Sequence, residues 1–149
     1  MGQKQELIVR TFLSAWGDGV RDPDVETIVS MFAPDGHWEL YVPGGPVIQG
    51  REAIRTEIHR QLGYVTGTHC GLTHIVSSDR MVVTERVDFF VRNGIRVRHA
   101  LMAMFELDGD GLITAWREYF DTFDLSRQTG ADPARLSGLE PASTNTPDN

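Results

Sequence analysis

Met81-Val82-Val83-Thr84-Glu85-Arg86-Val87-Asp88-Phe89-Phe90-Val91 is the stretch on which the fold turns. β-Branched and aromatic residues fill it, so it reads as a strand. Successive side chains of a strand point to opposite faces, which puts Thr84, Arg86, Asp88 and Phe90 on one side and Glu85, Val87 and Phe89 on the other. A guanidinium and a carboxylate aimed together at an interior are costly unless they pair or act. A second stretch, Thr114-Ala115-Trp116-Arg117-Glu118-Tyr119-Phe120-Asp121, answers the first: read the same way, it aligns Arg117, Tyr119 and Asp121, with Phe123 beyond. If Asp88 and Asp121 converge with Arg86 between them, one guanidinium bridges two carboxylates. The plainer reading of Arg86 and Asp88, an ion pair on a sheet surface, leaves Asp121 unexplained.

Outward from this strand the period is two from Gly67 onward, giving strands at about 68–77, 81–91, 95–107 and 112–123. Turns separate them at Ser78-Asp79-Arg80, Arg92-Asn93-Gly94 and Asp108-Gly109-Asp110-Gly111. Upstream the spacing is helical. Leu7, Ile8, Phe12, Leu13 and Trp16 make one apolar stripe, stopped by Gly17 and Gly19. Asp22-Pro23-Asp24 opens a second helix running through Met31-Phe32, and Ala33-Pro34-Asp35-Gly36 ends it. His37-Trp38-Glu39-Leu40-Tyr41-Val42 is a strand that stops at Pro43-Gly44-Gly45-Pro46. A third helix covers 51–62, with Ala53, Ile54, Ile58 and Leu62 inward and Gly63 as cap. The expectation is an α+β cone: three N-terminal helices against a curved antiparallel sheet, hollow at its open end. It occupies 1–128 as one domain, and residues 129–149, rich in Pro, Ser, Thr, Asn and Asp, form a flexible tail.

Composition narrows the partners. The 149 residues carry 14 Lys+Arg against 21 Asp+Glu, a formal net charge of -7 with the arginines scattered, so nucleic acid and anionic membranes are not expected partners. A lone Cys70 cannot form an internal disulfide, and no apolar run reaches the roughly 20 residues of a membrane span. The expectation is a soluble cytoplasmic protein in a reducing compartment. The five histidines have no metal-ligand spacing, and the acidic turn at 108–111 lacks the later ligands of a calcium loop. No metal or cofactor is expected.

The element order, Phe32-Ala33-Pro34-Asp35 before the first strand and Gly50-Arg51-Glu52-Ala53-Ile54 at the third helix resemble the SnoaL-like, or nuclear-transport-factor-2-like, superfamily of cystatin-like α+β barrels. The resemblance covers roughly residues 5–125. Thr84-Glu85-Arg86-Val87-Asp88 and Trp116-Arg117-Glu118-Tyr119-Phe120-Asp121 further resemble the two motifs of the limonene-1,2-epoxide hydrolase family, whose Asp-Arg-Asp triad opens an epoxide by direct attack of water. Carried over, the resemblance makes Asp121 the base for the water, Asp88 the acid for the epoxide oxygen and Arg86 the bridge. It implies a cofactor-independent hydrolase that turns a small or medium apolar epoxide into a vicinal diol, and a homodimer. The family also holds its water with a Tyr and an Asn two residues apart on the first strand. Here that segment is one residue longer, and two registers are open: Trp38 and Leu40, or Glu39 and Tyr41 with His37 behind them. The second is preferred because a hydrolytic site needs acceptors for water.

Phe90, Phe123, Met102 and Met104 are the candidate pocket walls, the methionines because thioethers adapt to irregular apolar ligands. The methionines could instead fill an ordinary core gap. Two other functions fit the same superfamily: an isomerase or cyclase of a polyketide- or steroid-like substrate, and a ligand-binding module without catalysis.

Overall fold

The computed structural model describes residues 2–130; residues 131–149, where most of the expected tail lies, fall outside the described residues. The chain runs α1 (Gln3–Ala15), α2 (Val25–Ser30), β1 (Phe32–Glu39), β2 (Val47–Gln49), α3 (Arg51–Leu62), β3 (Val65–Ser77), β4 (Met81–Arg92), β5 (Ile95–Leu107), β6 (Ile113–Tyr119) and α4 (Thr122–Thr129). The strands form one curved sheet in the order β2-β1-β6-β5-β4-β3. All pairings are antiparallel except β1 with β6, which is parallel. The α+β architecture is the expected one, with that single parallel junction joining the N-terminal strand pair to the meander.

α1 holds the sheet's curvature. Its stripe of Val9, Phe12, Leu13 and Trp16 is buried. Phe12 meets Phe32, Phe105 and Trp116 edge-on at centroid distances of 5.6, 5.6 and 5.0 Å. Trp116 in turn stacks between Trp38 (4.6 Å, 11°) and Phe105 (5.7 Å, 12°). Burying each such side chain contributes about 1.5–3 kcal/mol, with more from the ring geometry. This aromatic plug fills the closed end of the cone.

Several details differ from expectation. The second helix ends at Ser30, its N-cap Asp24 accepting from the Thr27 amide at 3.1 Å. The strand begins at Phe32, not His37, and Pro34 is accommodated where the β1–β6 ladder shifts register between Phe32 and His37. On α3, Ala53 is exposed and the buried charged residue is Glu57, held by two 2.8 Å bonds from Arg60 and one of 3.0 Å from Gln61.

The strand expected at 112–123 stops at Tyr119, and α4 follows. β5 outruns β6: their pairing ends at Met102 with Tyr119, so the β5 backbone before it needs other partners. α4 supplies them. Gln128 accepts from the Arg98 amide at 2.9 Å and donates to the Arg98 carbonyl at 2.7 Å, while Leu125 packs with Val97, Phe90 and Phe120. Asp121 caps this helix, its carboxylate accepting from the Phe123 amide at 2.9 Å. Among the described residues no helix is long and apolar enough to cross a membrane, and no group of three His, Cys, Asp or Glu is placed to hold a metal ion.

Candidate active site

Between the aromatic plug and α4 lies a cavity of about 150 Å³ lined by β1, α3, β3, β4, β5 and β6. At its base Arg86, 2 % exposed, is the largest fully buried side chain. Its Nε donates to Asp88 Oδ1 at 3.1 Å and its Nη2 to Asp88 Oδ2 at 2.9 Å, a two-point grip on one carboxylate. The same Nη2 donates to Glu118 Oε2 at 2.8 Å, and the Trp38 indole N–H reaches Glu118 Oε1 at 3.4 Å. Arg86 Nη1 is buried without a hydrogen-bond partner among the described residues. One cation thus bridges two carboxylates, but the second is Glu118 and not Asp121.

Asp121 is exposed at the start of α4, with Arg127 at 3.9 Å. The parity of β6 is the reverse of that expected, because Trp116 must be inside. Once its indole stacks on Trp38 and Phe105, Glu118 and Phe120 follow it inward. Arg117 and Tyr119 are carried to the outer face, where Arg117 pairs with Glu106 at 2.8 Å. Phe123 goes with Asp121, at 66 % exposure, and is no wall of the cavity.

The first strand obeys the same rule. Trp38 pairs in register with Trp116 and faces inward, and Leu40 follows. Glu39 and His37 lie on the outer face, 3.7 Å from each other, with Arg117 at 3.9 Å from Glu39. The preferred register is therefore overturned for Glu39 and His37. Tyr41 nonetheless lines the cavity, because regular strand ends at Glu39 and alternation ends with it. On β5 the apolar Val97, Leu101, Ala103 and Phe105 claim the inner face together with His99. Met102 and Met104 are thereby turned outward, Met102 to 49 % exposure, and neither forms a wall. Phe90 does.

Two residues outside the expected triad flank Asp88 on its own rung of the sheet: Cys70 on β3 and His99 on β5. The alternation of β4 could have flagged them, had the pairing register been known. Burial, with the Asp88 charge adding to it, pushes the Cys70 thiol up, so it stays protonated and unreactive. Burial opposes the charge on Arg86, but Asp88 and Glu118 more than offset this and hold it protonated. Glu118 is pushed up to about 7, first by burial and then by the Asp88 charge, against the pull of Arg86. Glu118 is therefore poised to hold a proton near neutral pH beside Asp88.

His99 sits edge-on to Phe120 at 4.4 Å and near Phe90 at 6.0 Å; burial lowers it to about 4 from 6.5, with Asp88 and Asp124 opposing and Arg86 assisting. A folded pKa below the unfolded one adds stability that is complete above about pH 6.5 and lost as pH falls through about 4, roughly 3 kcal/mol in all. We expect His99→Asn to be less stable than the parent at pH 7.5 and the gap to narrow toward pH 4, as urea midpoints would record.

Comparison with known proteins agrees with this architecture. The SnoaL-like domain model matches residues 9–116. Epoxide hydrolase EphG of Mycobacterium tuberculosis is 32 % identical over 117 residues, 78 % of this chain and 73 % of that one. The solved structure of an M. tuberculosis LEH-like epoxide hydrolase superposes with a TM-score of 0.70 at 30 % identity, covering 84 % of this chain and 88 % of the other. An epoxide hydrolase/cyclase-like enzyme, SalBIII, described for its role in pyran ring formation in the polyether salinomycin, shares the fold at 23 % identity, with a TM-score of 0.71 and coverages of 82 % and 94 %. The chain belongs to the SnoaL-like family, among the relatives of the LEH-like epoxide hydrolases.

Proposed function

We propose that the protein opens an epoxide, with Arg86, Asp88 and Glu118 as the reacting constellation. The observation that carries this reading is the buried Arg86 guanidinium bonded to both carboxylates at 2.8–3.1 Å in an aromatic-walled cavity. Such a pair can hold one proton and one charge together. The protonated carboxyl gives its proton to the oxirane oxygen as the carbon–oxygen bond breaks. Water attacks the carbon from the opposite side and yields a proton to the ionised partner, so a vicinal diol forms and the pair keeps its total charge. Arg86 holds the two groups in place and stabilises whichever is charged. Apolar walls at Phe90, Phe120 and Leu40 exclude competing water and suit an apolar segment around the epoxide.

A second reading has one observation in its favour. Trp38 and Leu40 face the cavity from the strand where the resemblance leads one to expect a Tyr and an Asn holding water. A wall of that kind suits a nucleophile carried by the substrate, a hydroxyl that opens the epoxide and closes a ring. Single turnover of cyclic and terminal epoxides in water labelled with heavy oxygen separates the two. Label on one carbon of a diol supports hydrolysis; an unlabelled product of unchanged mass supports cyclisation; no reaction of any epoxide by folded protein overturns both.

The pH profile supplies a further check. Because Glu118 titrates at about 7, kcat/KM should fall as pH rises above that value and the shared proton is lost. A flat profile from pH 6 to 9 would remove the acid from the mechanism.

A further inference from the structure

β4 carries a second guanidinium into the same cavity. Its inward residues run Arg86, Asp88, Phe90, Arg92, and the β4–β5 register is unbroken from Met81 to Arg92. Arg92 Cα therefore lies about 13 Å along the strand from that of Asp88. Its place is fixed on both sides. Arg92 pairs with Val65 on β3 and Ile95 on β5, and the Asn93 amide donates to the Tyr64 carbonyl at 2.9 Å. The guanidinium carbon rests 4.8 Å from the Tyr64 ring centroid.

Tyr64 has a second cation at 5.3 Å, Arg60, and the contrast between the two is informative. Arg60 is neutralised by Glu57 through two 2.8 Å bonds and also donates to the Tyr64 hydroxyl at 2.8 Å. Glu57 is thereby consumed. Arg92 is half-buried, and no carboxylate among the described residues lies within ion-pair distance of it. An aromatic face orients a guanidinium but does not cancel its charge. In a chain of net charge -7, an uncompensated arginine lining a cavity is a placed anion receptor rather than part of a basic surface. On β4, Phe90 stands between it and Asp88, and Leu62 and Leu125 line the same cavity.

We propose that the substrate is amphipathic: a carboxylate at one end, held by Arg92 against Tyr64, an apolar spacer along Phe90 and Leu125, and the reacting group at Asp88 and Glu118. This deepens the epoxide-opening reading and rests on it for the reacting end alone. Octanoate and its uncharged counterpart octanamide test the receptor without any chemistry. Binding is followed at pH 7.5 through the fluorescence of Trp38 and Trp116, which line the cavity. Octanoate should bind at least about tenfold more tightly than octanamide, a difference of about 1.4 kcal/mol. Arg92→Gln should bring the ratio near one, and Arg92→Lys should keep part of it. Equal binding by the parent protein, or a preference that survives in Arg92→Gln and so belongs to Arg86, overturns the assignment. In turnover, an epoxide with a terminal carboxylate should exceed its methyl ester in kcat/KM by a similar factor, again lost in Arg92→Gln. A binding preference without turnover of either epoxide upholds the receptor and sinks the epoxide reading; equal turnover of acid and ester does the reverse.

Discussion

Glu118→Gln lowers kcat/KM on any epoxide that the parent opens by about a hundred- to ten-thousand-fold, the range lost with a positioned acid or base, while Asp121→Asn leaves it within a factor of about two. Asp88→Asn should behave as Glu118→Gln does. The expectation follows from position: Glu118 and Asp88 share Arg86 at the base of the cavity, whereas Asp121 caps α4 on the surface. The amide keeps each side chain's shape and its capacity to accept, from Arg86 at Asp88 and Glu118 and from the Phe123 amide at Asp121, so circular dichroism and urea midpoints should show all three variants folded. The outcome that would sink the assignment is equally definite. A dead Asp121→Asn beside an active Glu118→Gln, both folded, would mean that the second motif acts through its last residue.

Arg86→Leu carries the largest expected cost in stability, about 3–5 kcal/mol near pH 7.5. Arg86 and its two partners form a closed balance of charge, with side-chain exposures of 1 % for Arg86, 11 % for Asp88 and 12 % for Glu118. Removing the cation strands two carboxylates that water barely reaches. Each must then ionise at a heavy desolvation cost or keep its proton. The loss should therefore shrink as pH falls toward 5, where both carboxyls can stay neutral. Adding Asp88→Asn and Glu118→Gln to Arg86→Leu should recover at least half of it at pH 7.5. Urea denaturation across the pH range measures both effects. A loss under about 1 kcal/mol that does not vary with pH would show that Arg86 does not balance these charges.

The face of β4 was legible because its alternation is clean. Arg86 and Asp88 lie two apart in a strand whose other inward residues, Val82, Thr84 and Phe90, suit an interior. The differences from expectation on β1, β5 and β6 share a physical origin: the bulk of the apolar side chains, not the chemistry of the polar ones, selects the inward face. Chemistry alone would put Asp121 inward as a carboxylate and Glu39 inward as an acceptor for water, yet the energy of burial belongs to the indoles. Trp38 and Trp116 had to be buried, and a period of two then dictated that Leu40, Glu118 and Phe120 join them. On β5, Leu101 and Phe105 overruled the methionines in the same way. The cap signal of Asp121, with Asp124 in the first turn behind it, was also present in the chain.

What the sequence determined alone is therefore local: the helix stripes, the strand periods, the turns between β3, β4, β5 and β6, and the Arg86–Asp88 pair, all set by residues a few positions apart. Tertiary structure alone decided which carboxylate completes that pair, that Cys70 and His99 flank Asp88, and that Arg92 enters the same cavity. Those depend on cross-strand register and on the parallel junction of β1 with β6. That junction is marked by the stacking of Trp38 on Trp116, side chains 78 positions apart that no local spacing brings together.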